Sequence, residues 1–216
     1  NQRTPPCSGS TTLNTRYAAY GILCGMNQRP TPTADVLPFL SRLLQAPVML
    51  LAAEDSGQGL HGGLVRVAWQ RVDLRGRVTV FGANFNPGMP VLWGATQQHG
   101  MKTGDVQHLP DFRALHPLLS AAARGVVLVG AGARTQLLPR LDHSCKRHRL
   151  PRIPFTHVLD LYDLVRGAQG APVRSLQDLA ARYGIYLSAH AAAARQVSTT
   201  TALVSAMLQA HAAGSV

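Results

Sequence analysis

The stretch Val48–Gly59, VMLLAAEDSGQG, constrains the fold of this chain more than any other. Six consecutive apolar residues, Val48 to Ala53, run straight into Glu54-Asp55-Ser56-Gly57. A short apolar run closed by a glycine turn predicts a strand buried on both faces. Side chains alternate along a strand, so Glu54 shares a face with Ala52, and Asp55 faces the other way if the strand continues. Two carboxylates at that spacing would hold a metal ion. With alanine at 52, Glu54 is the only acid on the run before the turn.

The neighbouring segments place this strand in a sheet. Thr33 is a candidate cap for a helix over Ala34–Gln45, in which Val36, Leu37, Leu40, Leu43 and Leu44 form one apolar stripe. In Gly63–Asp73, Val65, Val67 and Trp69 alternate with Arg66, Ala68 and Gln70, the period of a half-buried strand. Leu74-Arg75-Gly76 links it to a further strand over Arg77–Asn84, which completes an antiparallel meander. Asn86–Asp111, rich in Pro and Gly, reads as one long loop of the kind that carries function.

Strands and helices then alternate. A helix over Asp111–Ala123 leads into a buried strand at Val126–Val129, and Gly130-Ala131-Gly132 turns into a helix from about Arg134 to His148. A short strand at Val158-Leu159 and a helical turn at Leu161–Arg166 follow. Ser175 caps a helix reaching Tyr183, and a last helix spans about Ala191–Ala212. The fold class is therefore α/β: a mixed five-stranded sheet, three antiparallel strands then two parallel, with helices on both sides. Residues 1–32, rich in Thr, Pro, Ser and Gly and without apolar period, predict a disordered extension. Met26 within it is a candidate natural start, and residues 33–216 form one domain.

Lys and Arg number 21 against 10 Asp and Glu, a formal charge of +11. That balance favours polyanionic partners, although a genome rich in G and C produces it as well. No apolar run approaches the ~20 residues of a membrane span, and no signal-peptide pattern is present. Three cysteines without CxxC spacing indicate neither a zinc site nor a disulfide framework. A reducing, cytoplasmic location is expected. A basic run, Arg140, His143, Lys146, Arg147, His148, Arg149 and Arg152, is either a solvated helix face or a set of phosphate contacts.

Several strings, taken in order, resemble the DEDDh family of 3′–5′ exonucleases, the group containing RNase T and the proofreading epsilon subunit of bacterial DNA polymerase III. The family's opening D-x-E-T-T-G is similar to Ala52-Ala53-Glu54-Asp55-Ser56-Gly57. Its H-G-I-T string before a P-x-F helix start resembles His99-Gly100-Met101-Lys102 and Pro110-Asp111-Phe112. Its V-G-H-N-x-x-F-D motif falls on Val129 to Gln136, and its H-x-A-x-x-D-x-x-x-T motif on His190 to Thr199. The resemblance covers about Pro47 to Ala212 and implies a ribonuclease H-like fold.

Such enzymes hold two divalent metals, Mg or Mn, about 4 Å apart on four carboxylates, with a histidine as general base. Carried over residue by residue, the acids fall on Ala52, Glu54, Gln136 and Arg195, and the base on His190. One acid of four remains, and a permanently cationic guanidinium at 195 opposes a metal. The resemblance then implies no cofactor, Glu54 and His190 as remnants of a catalytic site, and Arg195 projecting toward Glu54 to pair with it.

The functions open to such a chain are three. It is an inactive exonuclease-like protein that binds single-stranded DNA or RNA, or a polymerase or nuclease partner, through the old cleft. Alternatively it is a working exonuclease with an altered site, or a protein-interaction subunit. Candidate nucleic-acid contacts are His99, Arg134, Arg140, Lys146, Arg147, Arg149 and Arg195. Because residues 1–25 show no core pattern, their deletion leaves the melting temperature nearly unchanged; a large fall in a thermal melt would contradict that reading.

Overall fold

A computed structural model describes residues 36–169, 175–185 and 193–212, with side chains left out at 166–169, 193–196 and 210–212. Helix α1 (Val36–Leu44) precedes the central strand β1 (Val48–Asp55), followed by β2 (Leu64–Val72) and β3 (Val78–Asn84). Two short helices, α2 (Trp93–His99) and α3 (Thr103–Val106), lead to α4 (Phe112–Ala123) and β4 (Val127–Gly130). A π-helical turn, Ala133–Leu137, runs into α5 (Leu138–Arg147). Strand β5 (His157–Asp160), α6 (Leu161–Gln169), α7 (Leu176–Arg182) and α8 (Ala193–Ala212) complete the described chain.

The sheet order is β3-β2-β1-β4-β5. β1 pairs antiparallel with β2 and parallel with β4; β2–β3 is antiparallel and β4–β5 parallel. The mixed sheet expected from the sequence is the one observed. The segment from Asn86 to Asp111 is not one loop, however, since it contains α2 and α3. Both are short, and of α2 only Ala95 is buried, so neither shows an apolar period.

Alternation along β1 separates two cores. Val48, Leu50 and Ala52 face α1 and α8, packing with Ala68, Val129, Val204 and Leu208. Met49, Leu51 and Ala53 face the other way, with Phe112, Leu115, Leu128 and Leu141. Burial of both faces by apolar side chains, at roughly 25 cal/mol per Å² removed from water, makes β1 the strand that organises the domain.

Asp160, at the end of β5, fastens the second half of the sheet. Its buried carboxylate accepts from the Gly132 and Arg134 amides through separate oxygens, each at 2.9 Å, and from the Tyr162 amide at 3.0 Å. Gly132 has φ +69°, and a Cβ there would stand 3.0 Å from the Tyr162 ring, so glycine is needed on both counts. The result is a fixed entry into the π-helical turn. Asp160→Ala leaves buried amides without an acceptor and costs on the order of 3 kcal/mol, read from urea unfolding; a change below about 1 kcal/mol would mean that the turn is held by packing alone.

Candidate functional site

The C-terminal end of β1 carries Glu54 on the face that α8 covers. Ala52 on that face is buried in the apolar core and pairs across the ladder with Ala68. Glu54 is also buried, with 7% of its side chain exposed. Its partner across the ladder is Arg66 of β2. The Arg66 guanidinium donates from Nη1 to Glu54 Oε2 at 3.1 Å and from Nε to Asn84 Oδ1 at 2.9 Å. A cation held from two sides therefore covers the one acid of this strand face. Sequence reasoning missed Arg66, because alternation alone put it on a half-exposed face; only the β1–β2 register brings it to Glu54.

β1 reaches two residues beyond the apolar run, and its register with β2 shifts between Glu54 and Asp55. Asp55 lies 3.0 Å from Arg140 of α5, an ion pair at the other side of the strand. Its Oδ1 accepts from the Gly57 amide at 2.7 Å. Gly57, with φ +90°, brings the turn so close to α2 that a Cβ would lie 2.8 Å from that of Ala95. The backbone there closes further when the Leu92 amide donates to the Ser56 carbonyl at 2.9 Å.

His99, the last residue of α2, braces the same mouth. The Met101 amide donates to its Nδ1 at 3.2 Å, which leaves Nε2 to donate to the Asp55 carbonyl at 3.1 Å. That arrangement requires the neutral ring. Burial pushes the His99 pKa down from 6.5, partly opposed by the Asp55 carbonyl. His99 is thus a positioning residue between α2 and β1.

The remaining sequence candidates lie on the segments after β4 and on α8. Gln136 lies exposed on the π-helical turn. Arg134 donates to the Val158 carbonyl at 2.6 Å and sits 3.4 Å from Asp163. Arg147 donates to the Gly88 carbonyl at 3.1 Å, tying the end of α5 to the segment before α2. Arg134, Arg140 and Arg147 therefore already serve the protein itself. Lys146 and Arg149 are exposed, and Arg149 takes a left-handed backbone at φ 57° just beyond α5. Arg195 falls in the first turn of α8, which packs on β1 and β2. The Arg195 side chain and His190 lie outside the described residues, and with them the expected Arg195–Glu54 pair.

A crystal structure of exonuclease I, described as suggesting how processivity is achieved, superposes with a TM-score of 0.61 at 16% identity, over 74% of this chain and 40% of that one. The chain shares the fold of exonuclease I. E. coli exonuclease I bound to a 5cy-dT13 oligonucleotide gives 0.57 at 16% identity, over 73% of this chain and 39% of that one. Its zinc-bound single-stranded DNA complex gives 0.59 at 16% identity, covering 74% and 40%. The chain thus spans about two-fifths of the length of these proteins. No family model matches the sequence, and no curated protein matches it.

E. coli exonuclease I is described in a zinc-bound form; the end of β1 here carries two acids, Glu54 and Asp55. Among the described residues no three His, Cys, Asp or Glu side chains group to hold an ion. Alanine occupies position 52, Glu54 is paired to a guanidinium, and Asp55 serves Gly57 and Arg140. Two divalent cations need several clustered carboxylates; among the described residues this strand end offers two acids, each paired with an arginine.

Two outcomes follow. Arg66→Ala uncovers a buried carboxylate and costs about 1–3 kcal/mol, below a fully buried pair because Arg66 is 21% exposed; a double-mutant cycle with Glu54→Gln measures the coupling, and a value near zero would remove the pair from the account. Burial also holds His99, His143 and His148 below 6.5. The folded state then binds fewer protons than the unfolded one, so stability is full above 6.5 and falls as pH drops through the lowered values. Melts between about pH 7.5 and 5.5 should show the decline, shallower in His99→Gln, and a flat profile would contradict it.

Proposed function

We propose that this protein is a catalytically inactive, exonuclease-like domain that binds single-stranded nucleic acid, or a partner that processes it, through the cleft at the end of β1. One observation carries the reading: the strand-end acid Glu54 is covered by Arg66, on a face where Ala52 belongs to the apolar core. Both strand-end acids are already paired with guanidinium groups, which leaves them little charge to offer a catalytic metal.

The formal charge of +11 and exposed Lys146 and Arg149 supply the sequence-independent attraction. Exonuclease I, which shares the fold, is described with dT13 and dA16 oligonucleotides and with an SSB-Ct segment. Single-stranded DNA is accordingly the first ligand to test. A nucleic-acid ligand is consistent with a cytoplasmic protein, and among the described residues no helix is long and apolar enough to cross a membrane.

End-labelled dT oligonucleotides incubated with Mg²⁺ or Mn²⁺ should persist intact; a 3′ ladder abolished by Glu54→Gln or His190→Ala would establish an enzyme with an altered site. Anisotropy titrations at rising salt should give weak to moderate, sequence-tolerant affinity. Lys146→Glu with Arg149→Glu should flatten the slope of log affinity against log salt by about 0.7 per lost phosphate contact. An unchanged slope would assign that run to a solvated face.

A further inference from the structure

Trp93 is 78% exposed, although an indole is among the side chains with most to gain from burial. The other tryptophan, Trp69, is buried and stacked on Phe81 with ring centroids 3.9 Å apart. Trp93 opens α2, and the residues beside it are bonded to the rest of the domain. The Leu92 amide is bonded to Ser56, the Val91 amide to Thr103 Oγ1 at 2.9 Å, and Leu92 and Ala95 touch Gly57. A large apolar ring is therefore held out into solvent on a segment bonded to the Ser56-Gly57 turn that follows Asp55.

The same segment is tied to the cationic end of α5. Arg147 binds the Gly88 carbonyl, five residues before Trp93, so the Trp93 Cα lies within about 18 Å of that contact. Exposed Lys146 and Arg149 flank Arg147 in sequence. A rigid aromatic face near cations, on a chain of charge +11, has the two chemistries that bind a single strand: a surface for a base and charge for its phosphates. A protein partner would bury the Trp93–Leu92 pair equally well, but the positive charge of the chain favours a polyanion.

We propose that Trp93 is a base-stacking platform for single-stranded nucleic acid, lying outside the β1 cleft, with the strand's phosphates running toward Lys146 and Arg149. This rests on the nucleic-acid reading above and adds to it the part of the ligand, an unpaired base, that is recognised there.

The test compares a dT oligonucleotide with an abasic strand of equal length at low salt. In the wild-type protein, the dT strand should quench the solvent-exposed tryptophan emission and the abasic strand should not. Trp93→Ala should weaken dT binding about 5- to 50-fold, leave the salt slope unchanged, and leave abasic binding unchanged; Trp93→Phe should recover much of the loss. If the wild type binds dT and Trp93→Ala binds it equally well, stacking is overturned and the nucleic-acid reading stands. Equal losses on dT and abasic strands would make Trp93 a support of the surface and also overturn it. Failure of the wild type to bind either strand would remove the nucleic-acid reading and this inference with it. The quenching comparison on the wild type keeps the test decisive should a variant unfold.

Discussion

A carboxylate buried at the end of a central strand requires positive charge within reach, because desolvation otherwise disfavours its ionised form. Glu54 meets that requirement through Arg66, its direct neighbour on β2. The pairing depends on the antiparallel register, and the register depends on the alternation that sends Leu50 and Ala52 to one core and Leu51 and Ala53 to the other. A slip of one residue would drive the acid into the opposite core and strand Arg66. Burial of β1 and placement of the charge pair are thus one constraint.

The consequence is chemical. A metal-dependent nuclease site concentrates acids so that cations bind and activate water. Here the strand end offers one acid to the α8 face and one to the α5 face, and each already has an arginine. Paired guanidinium groups, Gly57 in the turn and a neutral His99 brace together fix the shape of the strand end.

Much of this was legible in the sequence, for definable reasons. The buried strand, the meander and the later alternation of strands and helices all rest on local apolar period, which burial imposes directly. The two helices between Asn86 and Asp111 were hidden because α2 buries only Ala95 and glycines interrupt the segment. Arg66 was hidden because its significance comes from a neighbour twelve residues earlier in the chain. The internal partners of Arg134, Arg140 and Arg147 were hidden for the same reason: Asp163, Asp55 and the Gly88 carbonyl are distant in sequence and only the fold brings them close. Charge counts locate cations but not the groups that already occupy them.

The account stands on the claim that the end of β1 is a cation-filled site and not a metal centre. A Mn²⁺ titration of the full chain, followed by the paramagnetic resonance signal of free ion, tests that claim most directly. The account predicts no stoichiometric site, with the wild type and Glu54→Gln giving superimposable curves. One or two equivalents of tightly bound Mn²⁺ in the wild type, lost in Glu54→Gln, would contradict it.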